Sequence, residues 1–223
     1  MTDEAKLEVV QQIPLFSKLR EESIQFLLPY IVVREIAAGT TVIREEEAGE
    51  FLFVVLKGRF KVTKNSPEGK EVLLSYLGEG SIFGERALLG RRRSANVTAV
   101  EDARVLLLDR RDFLHVLRRN PEVALELLDT LMERLENTNR HLASLAFWDV
   151  AGRVAHALEE LAEEIGETHG EGVLIPRSRL RVQDLASYVG ATREAVSRAL
   201  RVLSDQGAVV SLSEGFLLPG KGS

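Results

Sequence analysis

Two clusters in this sequence hold residue types at spacings suited to phosphate, one near the middle of the chain and one near its end. The first is Phe83-Gly-Glu-Arg-Ala-Leu-Leu-Gly-Arg-Arg-Arg-Ser-Ala-Asn-Val97. Gly84 to Leu89 reads as a single helical turn, and a helix start offers free backbone N–H groups. Arg93 and Ser94 add one charged and one neutral donor, which is what binding one phosphate requires. Glu85 would be repelled by that phosphate, yet a carboxylate is the natural acceptor for a ribose 2′-hydroxyl. A basic surface hairpin is the plainer interpretation of the same residues.

The second cluster lies on a helix expected from Arg193 to Ser204. Val196, Leu200 and Leu203 fall on its inner side, while Arg193, Glu194, Ser197, Arg198 and Arg201 share the outer face. Arginine can bond both acceptors of a guanine edge, and glutamate can accept from cytosine N4. The competing interpretation is an i,i+4 ion pair between Glu194 and Arg198. That pair is worth only about 0.3–0.5 kcal/mol and leaves Arg193 and Arg201 unexplained. Thr192 is placed to cap this helix and Gly207 to stop it. A shorter helix, Val182 to Val189, precedes it across Gly190-Ala-Thr192, and Ala186 and Gly190 are small where two helices must approach. This is helix-turn-helix spacing. Val209-Val-Ser-Leu212 and Phe216-Leu-Leu218 predict a small hairpin beside it, the wing of a winged helix.

Local charge supports the second cluster. From Pro176 to Leu203 there are Arg177, Arg179, Arg181, Arg193, Arg198 and Arg201 against only Asp184 and Glu194. From Gly152 to Glu171 a single Arg153 faces six acidic residues. The formal net charge of the 223-residue chain is −5, which argues against indiscriminate polyanion binding and makes the local surplus the informative feature. Such a run, taken alone, is equally a solvated surface.

Between the clusters stands the element that must position both. After Pro121, apolar residues recur at Leu125, Leu128, Met132, Leu135, Leu142 and Ala146, with Asn139 in the one gap. Alternating steps of three and four are the seam of a coiled coil, which implies a partner helix and hence a homodimer, parallel or antiparallel. A long amphipathic helix inside a monomer is the alternative. Asn139 on the seam would fix register. A second row, Ala124, Leu127, Leu131 and Thr138, is expected to pack on the preceding domain.

The rest of the chain supplies two different textures. Residues from about Glu4 to Val33 read as short helices, with Leu7, Val10 and Ile13, then Ile24, Leu27 and Leu28, at helical spacing. Val32 to Leu108 reads as short strands separated by glycine: Thr40–Ile43, Phe51–Leu56, Arg59–Thr63, Glu71–Leu77, Asn96–Val100 and Arg104–Leu108. That pattern predicts an antiparallel sandwich or small barrel of the jelly-roll kind. Leu145 to Val150 is the expected hinge with Asp149 as N-cap, followed by an amphipathic helix through Val154, Ala157, Leu158, Leu161 and Ile165 and a polar, mobile loop from Gly166 to Gly172.

Composition removes several function classes. There is no cysteine, so disulfides, thiolate zinc sites, iron–sulfur clusters and thiol nucleophiles are excluded. No apolar run approaches a membrane span, and the acidic start lacks the basic region of a signal peptide, so the expected location is cytoplasmic with no membrane partner. No Walker lysine, no HExxH and no nucleophile with a base at motif spacing is present, so the chain is not expected to be an enzyme.

In this order, the pieces resemble the family of bacterial regulators named after the cyclic-AMP receptor protein and the fumarate–nitrate regulator. The likeness covers essentially the whole chain. It is sharpest in Phe83–Val97, in Leu145-Ala-Phe-Trp-Asp-Val-Ala-Gly-Arg-Val154 and in Val189-Gly-Ala-Thr-Arg-Glu-Ala-Val-Ser-Arg198. The resemblance implies an α+β chain with a jelly-roll sensor over 1–120, a dimerisation helix over 121–147 and a winged helix-turn-helix over 148–223. It further implies that Gly84 and Glu85 hold a ribose, that Arg93 and Ser94 hold a cyclic phosphate, and that Thr138 and Asn139 reach the base, Asn139 from the second subunit. Arg193, Glu194 and Arg198 match the family's base readers, which implies double-stranded DNA with TGTGA-type half-sites. RNA polymerase is a further implied partner, through the Gly166–Gly172 loop. The cassette is about two residues shorter than in the best-known member, Arg86 replaces a residue usually apolar, and Asn96 stands where the family varies. The effector is therefore cyclic AMP, another molecule or none. The fumarate–nitrate branch is set aside because its cluster ligands are cysteines, and the four histidines, His115, His141, His156 and His169, fall outside the cassette.

Overall fold

A computed structural model describes residues 7, 10–11, 13–16, 19, 21–66 and 68–220. In chain order, the helices are α1 (Glu21–Leu27), α2 (Arg110–Arg119), α3 (Pro121–Phe147), α4 (Val150–Ile165), α5 (Val182–Tyr188) and α6 (Arg193–Asp205). The strands are β1 (Val32–Ile36), β2 (Thr41–Ile43), β3 (Phe51–Lys57), β4 (Phe60–Asn65), β5 (Glu71–Leu77), β6 (Ile82–Phe83), β7 (Asn96–Ala99) and β8 (Ala103–Asp109). Four more, β9 (Glu167–His169), β10 (Gly172–Pro176), β11 (Val210–Ser211) and β12 (Gly215–Leu218), follow α4. The chain divides into two compact units, residues 1–60 with 77–137 and residues 61–76 with 138–223.

In the first unit, β1, β8, β3 and β6 form one antiparallel sheet in that order. Phe53 on β3 lies opposite Leu107 of β8 on one side and Phe83 of β6 on the other. The Phe53 and Phe83 rings stack with centroids 4.9 Å apart, so register here is fixed by aromatic packing as well as by the ladder. β2 pairs with β7, where Thr41 and Thr98 face each other across the ladder and share a hydroxyl bond of 2.9 Å. Leu52, Val54, Leu106 and Leu108 bury themselves against Ile24, Leu27, Phe113, Val116, Val123 and Leu127. The helices of this unit exist chiefly to close that core.

The helix that opens at Pro121 runs to Phe147, the extent of its apolar seam. Its core-facing row, however, is Val123 and Leu127; Ala124 and Leu131 are exposed, so the expected row Ala124, Leu127, Leu131, Thr138 is corrected by one register. The seam itself lies open: Leu125, Leu128, Met132, Leu135 and Leu142 are all more than half exposed in the single chain.

In the second unit, β4 and β5 form a hairpin with Lys61 and Thr63 bonded to Glu71. Asp149 caps α4 by accepting from the Gly152 amide at 2.8 Å, and Thr192 caps α6 through the Ala195 amide at 3.2 Å. Leu145 to Phe147 remain helical, so the expected hinge narrows to Trp148 and Asp149. The Gly166–Gly172 segment is not a loop. It contributes β9 and the start of β10 to a sheet ordered β11-β12-β10-β9, so the two-stranded wing expected from Val209 onward is part of a four-stranded sheet. The short helices expected before Val33 are present as α1 and two 3₁₀ turns, Pro14–Phe16 and Leu28–Tyr30. β1 starts at Val32, and the portion on residues 1–6, 8–9, 12, 17–18 and 20 lies outside the described residues.

Candidate functional site

The cassette begins where β6 ends. Gly84 adopts φ 78°, a left-handed conformation that glycine takes without strain, and this turns the chain into a 3₁₀ segment, Glu85–Leu89. The chain then runs through Arg91–Ser94 and enters β7, held by reciprocal backbone bonds between Arg93 and Glu46–Glu47 and by Asn96 Oδ1, which accepts from the Glu45 amide at 2.9 Å.

These constraints carry the Arg93 side chain inward, leaving it 6% exposed. Its guanidinium donates to the carbonyls of Gly84 at 2.6 Å and Phe51 at 2.9 Å, and it sits 5.9 Å from the Phe53 ring centroid. Burial pushes its pKa down, and the nearby Glu85 carboxylate opposes that shift. Gly49 forms one wall: a Cβ there would lie 2.1 Å from Arg93 Nε. The glycine is therefore part of the arginine's slot.

Glu85 meets a second cation that sequence reasoning missed. Arg134 on α3 approaches the Glu85 carboxylate at 3.9 Å, and its other arm donates to the Ile82 carbonyl. Burial lowers the Arg134 pKa, again with Glu85 opposing. Gly84, Glu85 and Arg93 thus come together with Arg134, a pairing of a carboxylate and two guanidiniums around one turn. Ser94 is exposed in the loop. Thr138 and Asn139 are exposed on α3 in the second unit, one turn beyond Arg134 in sequence.

On α6, Val196, Ala199, Leu200 and Leu203 are buried, while Arg193, Glu194, Arg198 and Arg201 are exposed and Ser197 is half-buried. Among the described residues no ion pair joins Glu194 to Arg198, so the competing structural interpretation of that face is not realised. The other three arginines of the basic run are occupied. Arg177 donates to the carbonyls of Ser213 and Leu212 and covers the Phe216 ring at 5.0 Å. Arg179 bonds the Ile165 carbonyl and the Glu167 carboxylate, and Arg181 takes Asp184 with two donors. The surplus of charge therefore separates into three arginines engaged within their own unit and three that face solvent.

An antiparallel β fold with a caged arginine, followed along the chain by a long helix and a helix-turn-helix with an open arginine face, defines a class of DNA-binding regulator. Comparison with known proteins agrees. The cyclic nucleotide-binding domain family matches residues 33–120, and the Crp-like helix-turn-helix domain family matches residues 152–218. The chain is 34% identical to the cAMP-activated global transcriptional regulator CRP of Haemophilus influenzae, with 85% of each chain covered. It is 36% identical to the cyclic AMP receptor protein of Thermus thermophilus, with 88% of each covered. Among solved structures it is similar to the catabolite activator protein of Thermus thermophilus, at 34% identity and TM-score 0.53, covering 92% of this chain and 93% of that one. The c-di-GMP responsive regulator CLP of Xanthomonas campestris shares the fold at TM-score 0.77 and 24% identity, over 91% of this chain and 100% of that one. The chain belongs to the CRP/FNR family of transcription regulators, and it is a sequence-specific DNA-binding regulator of that type. Among the described residues, no helix is long and apolar enough to cross a membrane.

Proposed function

We propose that this protein is a cytoplasmic, cyclic-AMP-responsive homodimer that reads a TGTGA-type palindrome and works with RNA polymerase. The observation that carries the reading is the α6 face: Arg193, Glu194, Arg198 and Arg201 are exposed and unpaired with one another on a capped helix whose opposite side is fully packed. In this reading Arg198, Arg193 and Glu194 contact base edges, with Ser197 and Arg201 beside them. The sensor occupies 1–120, the dimer helix 121–147 and the DNA-binding domain 148–223. Gly84 and Glu85 receive the ribose, Arg93 and Ser94 the cyclic phosphate, and Thr138 with Asn139 the base. The exposed seam from Leu125 to Leu142 supports a second copy as its cover, because a monomer gains nothing from an open heptad row. Ligand shifts the dimer only in so far as it binds one arrangement of that seam more tightly than the other.

The same fold acting without an effector is the second reading. It is favoured by Arg93 already donating to two backbone carbonyls. Titrating the purified protein with cyclic AMP while following binding to a palindromic duplex decides between them. A large rise in affinity with ligand is expected; affinity independent of ligand would establish the second reading. Sedimentation at working concentration should give a dimer, and a monomer for Leu135→Asp.

A further inference from the structure

Residues 138–147, the last turns of α3, belong to the same unit as the reading helix α6, and they carry two different faces. Asn139, Leu142 and Ala146 continue the open seam, and all three are exposed. His141, Ser144 and Leu145 share another side, since steps of three and four residues return to one face of a helix. Ser144 is 6% exposed, which marks that side as packed.

What it packs against is the helix-turn-helix. The His141 ring meets the ring of Tyr188, the last residue of α5, with centroids 4.4 Å apart. The Tyr188 hydroxyl in turn donates to the Glu160 carboxylate of α4 at 3.3 Å. A Cβ built on Gly190, in the turn between α5 and α6, would stand 3.4 Å from Leu145 Cδ2 and 3.8 Å from Arg153 Nη1, so both side chains lie directly against that turn. Thr192, two residues further on, caps α6. Along the chain, α3 reaches the rest of this unit only through Trp148 and Asp149, the elbow ahead of α4. The Trp148 ring is steadied by His156 of α4, at 4.8 Å between centroids. His141 and Leu145 brace the same elbow from the far side, at the approach to the reading helix.

We propose that His141 and Leu145 are positioning residues that set which half-site spacing this protein accepts. One face of these turns meets a second copy while the other holds the turn ahead of α6. A single stretch of helix thereby relates each reading helix to the dimer axis. Each base pair added between half-sites turns one of them by about 35° around the duplex. Firmly braced readers therefore accept few spacings, and readers free to swing at the elbow accept several. The inference rests on the DNA-reading dimer proposed above.

The test uses duplexes with the same inverted TGTGA-type half-sites and a spacer stepped one base pair at a time across about one helical turn. The parent should bind one spacer at least about tenfold more tightly than spacers two base pairs longer or shorter. The double variant His141→Ala, Leu145→Ala should reduce that preference to about threefold or less, or move it to another spacer, with base preference inside each half-site unchanged. Preference is a ratio between duplexes, so partial unfolding of a variant cancels from it. Tyr188→Leu removes the ring from the opposite side and should broaden spacer tolerance in the same way, which keeps the test decisive where the double variant does not fold. Parent-like spacer preference in these variants, even at lower affinity, overturns the positioning role and leaves DNA reading intact. A parent that binds inverted repeats at no spacing, or at all spacings alike, overturns the DNA-reading dimer and the positioning role together.

Discussion

Arg93 and Arg198 are the same residue type set in opposite surroundings. Arg93 is buried, bonded to the carbonyls of Gly84 and Phe51, and walled by Gly49, so its position is set before any ligand arrives. Arg198 stands exposed on α6, held only by the helix beneath it. On the proposed reading that suits a small anion, because a lone phosphate cannot organise a flexible side chain without losing most of the gain as ordering entropy. A duplex offers many contacts at once and can order several side chains on arrival. The folded protein therefore depends on the first arginine and is indifferent to the second.

That contrast is open to direct measurement. Arg93→Ala removes a donor from the Phe51 carbonyl and one of the two donors to the Gly84 carbonyl, which keeps the Ala87 amide, and it empties a slot, so it should cost about 1–3 kcal/mol of folding stability in urea titration, together with most of the cyclic-AMP affinity. Arg198→Ala should shift stability by no more than about 0.5 kcal/mol yet cost about 1–3 kcal/mol of discrimination at a single base pair in a binding-site library. Similar stability losses in both variants would erase the distinction. A uniform affinity loss across the library would make Arg198 a phosphate contact.

Gly49→Ala sharpens the sensor side without touching the arginine. Its new methyl would sit 2.1 Å from Arg93 Nε and must displace the guanidinium. Ligand affinity should fall by about 1–2 kcal/mol in calorimetry, within the range for a small group forced into a packed site. Unchanged affinity would mean that the slot tolerates Arg93 in more than one position.

What the sequence revealed and what it hid follow from the range of the interactions. The extent of α3 was legible because a heptad row is a local signal repeated over many residues, and the caps Asp149 and Thr192 were legible because they bond within three residues. β9 escaped because all three of its residues are exposed, so it has no apolar alternation to betray it. Its partner β10 left a trace in Val173-Leu-Ile175, a short β-forming run. Arg134 escaped because its meaning depends on Glu85, far away in sequence, and nothing near it on α3 marks it. The basic run from Arg177 to Arg201 was visible as charge, but charge counting could not separate Arg177, Arg179 and Arg181, engaged within their own unit, from the three arginines left to solvent.

Glu164 lies between these extremes and supplies the gentlest test. Its flank is exposed, but its carboxyl end lies against the backbone of Tyr76. Loss of water pushes its pKa up to about 7; the Tyr76 hydrogen bond resists the rise, while Glu160 and Glu163 reinforce it. The Tyr76 and Tyr188 hydroxyls nearby are themselves raised, first by burial, so they do not titrate in this window. Between the ordinary value of 4.5 and about 7 the folded chain holds a proton that the unfolded chain has released. Folding stability from this group therefore falls as pH rises across that interval and levels off above it. The exposed flank screens the charge, which keeps the effect below about 1 kcal/mol. Glu164→Gln should match the parent near pH 4, exceed it slightly at pH 8, and flatten the dependence of the urea midpoint on pH between them. An identical slope in parent and variant would show that this carboxyl is as well hydrated as the arginines on α6, and that the hairpin beside it shields nothing.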